Sequence, residues 1–238
     1  AGDVIETHLV ETEPSDGILP RPVPFSVVYE DDDILVVDKP ADTPIHPSIG
    51  NYENTLANGI AWYFEQKGEP FVYRCINRLD RDTTGLIVLA KHALSAAVLS
   101  QAMRSREIHR TYQAFALGET AASGTIDAPI ARLNGSLIQR TVDFASGERS
   151  VTHYRTLAHC SVFSHLELNL ETGRTHQIRV HMAYIGHPLL GDTLYNKTPG
   201  TFPRQALHSA SLSFVHPITG EPLNFHAPLP EDMQNLLT

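Results

Sequence analysis

The chain has 238 residues, of which 42% are hydrophobic and 19% charged, as in an ordinary globular protein. No apolar run approaches the ~20 residues needed to span a bilayer, and two cysteines, Cys75 and Cys160, are too few for a disulfide framework. The acidic N-terminus lacks the pattern of a signal peptide, so a reducing, cytoplasmic setting is expected.

The net charge of −9 is unevenly distributed. Residues 1–42 carry eleven acidic and two basic residues, which accounts for the whole imbalance, whereas residues 72–112 carry seven basic and three acidic ones. Binding to RNA is not excluded, because phosphate contacts need only a local basic patch. On charge alone, an ordinary solvated surface is the simpler interpretation.

In chain order, the first predicted element is an extended lead-in over residues 1–24, which are acidic and contain several prolines. An apolar run at residues 34–37 predicts a short buried strand. A loop is predicted over residues 43–54. Apolar residues at helical spacing then predict a helix over residues 55–66 that ends near Gly68.

The second half of the chain is richer in predicted strands than in helices. Ile178, Met182 and Ile185 lie at i, i+4 and i+7 and predict a helix with Gly186 as its C-terminal cap. The remaining predicted elements are a helix over residues 93–103 and strands at 86–90, 112–117, 150–158 and 162–170. Most connections look too short for repeated parallel crossovers, so the sequence predicts an α+β fold with a mixed, mainly antiparallel sheet and flanking helices.

The first candidate for chemistry is the polar turn at residues 78–85 (RLDRDTTG), which leads into a predicted buried strand. Such a turn presents a side chain rigidly. Asp80 is flanked by Arg78 and Arg81, and a carboxylate in that position stays ionised, as a nucleophile must. Taken alone, the simpler interpretation is a turn that Asp82 caps and in which Asp80 pairs with an arginine.

Two further clusters supply possible partners for Asp80. Arg174 follows a loop, and Arg179 lies next to the apolar face of the following helix, where its guanidinium could point toward a buried carboxylate such as Asp80. Tyr112, at the start of a strand after Arg110, could stack on a base or handle a proton. A structural ion pair for Arg179 and a core position for Tyr112 remain the alternatives.

Thirteen histidines raise the question of a metal site. His176 and His181 are five residues apart, not four as in the metalloprotease helix, and no acidic residue lies between them. The sequence has neither a glycine-rich phosphate loop nor a G-x-S-x-G nucleophile motif. We therefore expect neither a metal nor a cofactor.

In this order, the clusters resemble the RluA-type family of RNA pseudouridine synthases. The central signature of that family, H-R-L-D followed by x-x-T-S/T-G-L, is similar to residues 77–86 (NRLDRDTTGL). Four more blocks resemble the family, and they are residues 29–40 with His46 and Pro47, 110–112, 173–181, and 186–192 with Tyr195. Asn77 stands where the family usually has histidine, so local hydrogen bonding is expected to differ there.

The resemblance implies the pseudouridine synthase catalytic fold, with a central cleft, over residues 25–238. Residues 1–24 are then an acidic lead-in that resembles the tail of an N-terminal RNA-binding module. The implied mechanism begins when a uridine flips out of its stack and Asp80 attacks ribose carbon 1 or uracil carbon 6. The uracil then detaches, rotates and rejoins through carbon 5. Arg179 would orient Asp80, and Tyr112 would stack on the uracil and assist proton removal.

The implied partner is RNA, with ribosomal RNA expected first and transfer RNA second, bound by a monomer that has no membrane attachment. The RNA-contacting residues expected from the resemblance are Arg78, Arg81, Arg110, Arg174 and His176, with Arg78 filling the gap left by the flipped nucleotide. Two other functions remain as alternatives. One is a non-catalytic RNA-binding protein on the same fold, and the other is a glycoside hydrolase, which needs a second carboxylate ~5–10 Å from the first.

Overall fold

The computed structural model describes Gly2 and residues 14–237. In the described part, the strands are β1 (Ser26–Glu30), β2 (Ile34–Lys39), β3 (Thr84–Ala90), β4 (His109–Leu117), β5 (Ser123–Asp127), β6 (Ile130–Arg132), β7 (Arg140–Val142), β8 (Val151–His159), β9 (Phe163–Leu170), β10 (Leu207–Val215) and β11 (Pro222–His226). The helices are α1 (Leu56–Lys67), α2 (Ala93–Ser105), α3 (Gln177–Tyr184) and α4 (Glu231–Gln234).

Most of these strands form one sheet in the order β1-β2-β3-β10-β4-β9-β8-β5, and β11 pairs with β10. Every pairing in this sheet is antiparallel except that of β10 with β3, where His208 lies opposite Thr84 and Ser209 opposite Gly85. Strands β6 and β7 form a separate hairpin. The predicted α+β fold with a mixed, mainly antiparallel sheet is confirmed.

The sheet is buried on both faces in its β2–β3 region, because alternate residues of a strand point to opposite sides. On one side, Leu35 and Val37 lie in an apolar cluster with Leu56 and Ile60 of α1. On the other side, the neighbouring residues of β2 pack with Leu99 of α2. The continuous apolar run of residues 34–37 thus reflects burial between two helical layers.

The strongly periodic predictions match the observed elements to within a few residues. Thr55 caps the start of α1, and Gly68 ends it with a left-handed φ of 71°. The third helix is shorter than predicted, because it ends at Tyr184 with Ile185 as its cap, and Gly186 follows with φ 87°. The nine-residue strand β10 was not identified from the sequence, although it lies at the centre of the sheet.

The turn that carries Asp80 enters the sheet at the point where β3 meets β10. Gly85 has φ 112°, and a Cβ on this residue would lie 2.3 Å from the carbonyl oxygen of Ser209. Only glycine permits so close an approach of two backbones in this conformation. The glycine of the signature therefore sets where the turn joins the sheet.

The predicted lead-in falls partly outside the described residues, because residues 3–13 are not among them. The described remainder lies against α1, where Arg21 N donates to the carbonyl of Asn58 and the Asn58 amide donates to the carbonyl of Leu19. A boundary at residue 24 stays a prediction. None of the helices in the described part combines the length and hydropathy that a membrane crossing requires.

Candidate active site

Asp80 lies at a cleft of about 930 Å³ that opens between the turn before β3, the end of α2 with the start of β4, and the loop before α3. A smaller pocket continues from it and is lined by Asp80, Tyr112, His176 and Arg179. Three segments far apart in the sequence therefore meet at one carboxylate. The Asp80 side chain is 22% exposed, so it is accessible from the cleft yet mostly surrounded by protein.

The predicted pairing of Arg179 with Asp80 is present in the structure. The Nη1 atom of Arg179 donates to Oδ2 of Asp80 at 2.9 Å. The same guanidinium binds Asp192 through Nε at 2.8 Å and Nη2 at 2.9 Å, which is a bidentate contact. Arg179 thus links two carboxylates, one fully buried and one facing the cleft.

Asp192 is the residue that fixes this arginine. Its side chain is 0% exposed, and its Oδ1 also accepts hydrogen bonds from the backbone N–H groups of Leu194 and Tyr195. Burial alone would lower the pKa of Arg179, but the hydrogen bonds and charges of Asp192 and Asp80 outweigh it and raise that pKa. The arginine therefore stays charged beside Asp80 at every pH at which the fold survives.

His176 lines the pocket and is held there by Tyr195. His176 has a left-handed φ of 58°, unusual for a residue that carries a side chain, and its Nε2 lies 3.9 Å from Oδ2 of Asp80. Its Nδ1 is hydrogen bonded to the Tyr195 hydroxyl at 2.7 Å, and that hydroxyl accepts from the backbone N–H of Arg140. Burial lowers the pKa of His176, and Asp80 offsets this only in part.

Tyr112 and Arg110 lie on β4 next to the carboxylate. Tyr112 is 4% exposed, and its hydroxyl forms no hydrogen bond with any residue that the structure describes. Arg110 lies with its guanidinium against Gly173. Its Nε is buried and has no hydrogen-bond partner among the described residues. Both side chains thus bring unused polar atoms to the pocket around Asp80.

The residues predicted to contact RNA differ in their surroundings. Arg78 is exposed, lines both the cleft and the pocket, and has no hydrogen-bond or ion-pair partner in the described part of the chain. Arg174 also lines the cleft but pairs with Glu148 at 2.5 Å. Arg81 does not line either space, because it turns away and pairs with Asp42. The structure therefore brings four of the five predicted residues to the site.

Two buried basic side chains hold the turn that carries Asp80, and sequence reasoning assigned a role to neither. Lys39 is 0% exposed, and its Nζ donates to the carbonyls of Pro40 and Arg81 at 2.7 and 2.8 Å. Burial lowers the pKa of Lys39 to about 7, although the carboxylates of Asp82 and Asp80 favour its charge. The lysine next to a proline in the block at residues 29–40 was the available signal.

Arg204 is the second of these basic side chains. Its Nη1 donates to the carbonyl of Asp82 at 3.1 Å. Its Nε and Nη2 bind Asp232 of α4 at 2.7 and 2.9 Å. The short C-terminal helix is thereby connected through one arginine to the turn that carries Asp80.

Asn77 replaces the histidine that the resemblance would place before Arg78. Its amide is 2% exposed and bridges two backbone groups of β3, donating to the carbonyl of Leu86 at 3.1 Å and accepting from the N–H of Val88 at 2.9 Å. Asn77 therefore holds the start of the turn against the sheet.

One group outside the cleft has the composition of a metal site, and it consists of Asp31, Asp33 and His216. His216 Nδ1 accepts a hydrogen bond from the backbone N–H of Thr219 at 3.0 Å, so the proton of the neutral ring lies on Nε2. That Nε2 donates to Asp31 Oδ2 at 3.0 Å. A cation would have to displace this proton, so these residues fit a structural hydrogen bond between His216 and Asp31 better than a metal site.

Comparison with known proteins agrees with this geometry. The family model described as RNA pseudouridylate synthase matches residues 33–184. Since this span covers more than half of the chain and includes the Asp80 turn and Arg179, the chain belongs to the RNA pseudouridylate synthase family. The resemblance to the RluA-type enzymes is confirmed. Members of this family isomerise uridine in RNA.

Relatives and solved structures support the same assignment. The chain is 43% identical over 237 residues to "Uncharacterized RNA pseudouridine synthase YjbO" of Bacillus subtilis, covering 99% of this chain and 83% of the relative. It is also 43% identical over 248 residues to "Ribosomal large subunit pseudouridine synthase D" of Vibrio cholerae, covering 98% and 75%. The fold resembles "Human RNA Pseudouridylate Synthase Domain Containing 1" with TM-score 0.72 at 26% identity, covering 91% of this chain and 86% of that one.

The family assignment removes the interpretation as a non-catalytic RNA-binding protein, because the chain is an RNA uridine isomerase. The structure does not favour the glycoside hydrolase interpretation either, because Asp80 pairs with Arg179 and not with a second acid of the described chain. The carboxylate that shares Arg179 with Asp80 is Asp192, which is fully buried and engaged by three donor residues. Such a group cannot reach a sugar or a water molecule in the cleft.

Proposed function

We propose that this protein converts uridine to pseudouridine in large-subunit ribosomal RNA and that Asp80 is its nucleophile. The observation that carries the proposal is the ion pair between Arg179 and Asp80 at the inner end of the cleft. Because Asp192 holds the other side of the guanidinium, Arg179 keeps its position when Asp80 leaves it to form a covalent bond. A nucleophile needs such an oriented but accessible carboxylate.

The reaction rearranges the nucleoside without a net gain or loss of atoms. The bond between ribose carbon 1 and uracil nitrogen 1 breaks, a bond between ribose carbon 1 and uracil carbon 5 forms, and the proton of carbon 5 is lost while nitrogen 1 gains one. Asp80 forms a transient ester-type bond either to ribose carbon 1 or to uracil carbon 6. Both routes need a base that removes the proton from carbon 5.

Tyr112 is proposed as the residue that covers the uracil and assists this proton removal. Its ring lines the pocket beside Asp80, and its hydroxyl has no hydrogen-bond partner within the described part of the chain. Leu79 and Leu207 also line this pocket, and apolar side chains suit the face of a pyrimidine.

RNA binding is assigned to the guanidinium groups at the cleft. Arg78 extends into the cleft without a carboxylate partner among the described residues, and Arg110 lines the same cleft. Phosphate oxygens bind such groups strongly. Arg174 and His176 line the same walls and would contact the flipped nucleotide. Arg81 contributes less than the other four, because it already pairs with Asp42.

The choice of large-subunit ribosomal RNA rests on the relatives. Those with the name "Ribosomal large subunit pseudouridine synthase D" are 41–43% identical to this chain over nearly its whole length. Transfer RNA is the second substrate to be tried in the experiment.

The test is tritium release from RNA labelled at uridine carbon 5, because loss of that proton accompanies each turnover. Large-subunit ribosomal RNA and transfer RNA transcripts are compared with wild-type protein, Asp80→Asn and Asp82→Asn. Asp82 lies in the same turn, so its variant controls for disturbance of the loop. We expect release from the ribosomal transcript by wild type and Asp82→Asn and none by Asp80→Asn. Activity that survives in Asp80→Asn rules out Asp80 as the nucleophile.

A further inference from the structure

The hairpin of β6 and β7 presents an apolar tip to which the proposed function assigns no role. Leu137 and Ile138 follow each other at the tip and are 86% and 62% exposed. Two adjacent aliphatic side chains in water are unfavourable, and a protein rarely keeps them without a contact to make. The tip therefore has the character of a contact surface.

The tip is held in one conformation by its own hydrogen bonds. Leu133 N donates to the carbonyl of Gln139 at 3.0 Å and closes the turn. Inside the turn, the Ser136 hydroxyl accepts from the backbone N–H groups of Ile138 and Gln139 at 3.3 and 2.9 Å. Leu137 and Ile138 are thus presented by an ordered turn, as an insertion into a partner requires.

The side chains around the tip are mainly basic. Arg132 donates to the carbonyl of Leu137 at 2.7 Å, and Arg140 donates to the carbonyls of Ile138 and Gln139 at 3.3 and 3.2 Å. A groove of about 540 Å³ beside the hairpin contains Arg140 and Lys197, and no acidic residue of the described chain lines it. In a protein of net charge −9, such a groove is complementary to a phosphate backbone.

The hairpin is also connected to the active site. The first residue of β7, Arg140, donates its backbone N–H to the Tyr195 hydroxyl at 2.9 Å. That hydroxyl binds His176 at 2.7 Å, and His176 lies 3.9 Å from Asp80. Strand β7 further packs against α3, which carries Arg179. A tip bound to RNA therefore lies at a fixed position relative to the nucleophile.

We propose that Leu137 and Ile138 form a wedge that enters base-paired RNA beside the target uridine, while the Arg140–Lys197 groove holds the adjoining backbone. This inference rests on the proposed function and makes its substrate more specific, because a wedge is needed only where the uridine is stacked in a helix. Apolar side chains that enter a base step unstack it. The unstacked uridine then requires less work to flip into the pocket at Asp80.

The test compares wild type with the double variant Leu137→Ser plus Ile138→Ser. Val162→Ser is the matched control, because Val162 is also an exposed aliphatic residue in a hairpin turn, between β8 and β9. Once the modified uridine has been mapped with wild type, two short transcripts are made around it. One keeps the base pairs that flank the uridine, and the other has them opened by substitutions in the opposite strand.

We expect the double variant to lose about tenfold in kcat/KM on the paired transcript and to match wild type within about twofold on the opened one. Val162→Ser should match wild type on both. Wild-type rates for the double variant on the paired transcript overturn the proposal. An equal loss on both transcripts also overturns it, because it shows a general contact instead of a wedge.

A second measurement separates this proposal from the proposed function. The fluorescence of 2-aminopurine in the stem of an RNA stem-loop rises when the base is unstacked, whether or not any uridine reacts. Wild type should raise it and the double variant should not, and an equal rise overturns the wedge. If wild type releases no tritium from any RNA, the proposed function is wrong. The fluorescence measurement still tests whether Leu137 and Ile138 unstack the bases.

Discussion

Arg179 donates from Nη1 to Oδ2 of Asp80 at 2.9 Å, although 99 positions separate the two residues in the sequence. The remaining donors of the guanidinium hold Asp192, so one arginine is shared between the cleft and the interior. This arrangement makes the orientation of Asp80 depend on a buried ion pair. Breaking a buried pair is costly, because one charge is left without its partner.

Arg179→Lys should therefore lose both stability and activity. A lysine has a single ammonium group and cannot make the three contacts of the guanidinium. We expect the free energy of unfolding to fall by about 3–5 kcal/mol and kcat to fall about a hundredfold or more through misplacement of Asp80. Urea unfolding and tritium release measure the two effects. The control is Arg155→Lys in the exposed pair with Glu167, which should change stability by less than about 1 kcal/mol. Equal urea midpoints for the two variants would contradict the prediction.

Tyr112→Phe isolates the hydroxyl group of the pocket tyrosine. The hydroxyl forms no hydrogen bond with the described residues, so the variant should be as stable as wild type to within about 1 kcal/mol. If the hydroxyl takes part in proton removal, kcat should fall by about 10²–10⁴, while RNA affinity stays unchanged because the ring can still stack. Tyr154→Phe on β8 is a control that should have wild-type kinetics. A wild-type rate for Tyr112→Phe would leave stacking as the role of Tyr112.

Lys39 should make stability depend on pH. Its pKa is lowered from 10.5 to about 7 in the folded protein, so between these values the unfolded chain binds more protons than the folded one. Stability from this group therefore rises with pH across that window. Lys39→Met cannot titrate at this position and serves as the reference. Relative to it, the free energy of unfolding of wild type should rise by about 2 kcal/mol between pH 7 and pH 9. Urea unfolding of both proteins at the two pH values measures this difference. A constant difference would show that Lys39 keeps an ordinary pKa in the folded protein.

Asp232→Asn tests the link from α4 to the turn that carries Asp80. The variant weakens the hold on Arg204, which donates to the carbonyl of Asp82. We expect kcat to fall about tenfold with KM for RNA unchanged. The control on the same helix is Met233→Ala, which removes a fully buried side chain and should cost about 2–5 kcal/mol of stability. Below its melting temperature it should keep the wild-type kcat. A similar loss of kcat in both variants would mean that the helix only supports the fold.

Local sequence signals were enough for the elements whose pattern is strong. The apolar spacing of α1, with Thr55 before it and Gly68 after it, gave a helix with correct ends, since capping depends on residues close in the chain. The apolar runs of β2 and β3 gave two buried strands for a similar reason. The position of Arg179 beside the apolar face of α3 also predicted that its guanidinium points inward and pairs with a carboxylate.

Local sequence patterns did not predict strand β10 or the burial of several polar and charged residues, which depend on tertiary contacts. Strand β10 contains buried His208 and Ser209 where an apolar residue would have marked a strand. Those polar groups are satisfied by distant partners, since Thr84 bonds His208 at 2.8 Å across 124 positions. In the sequence, Asp192, Lys39 and Arg204 are likewise ordinary charged residues, and only folding buries them.

Asp80 illustrates the division most directly. The sequence determined that a carboxylate stands in a turn at the entry of a buried strand, and its ordered blocks indicated the family. Only the folded chain brought Asp192 into contact with Arg179 and joined two buried basic side chains to the turn. The reason is that electrostatic contacts depend on distance in space, which a sequence does not contain for residues about a hundred positions apart.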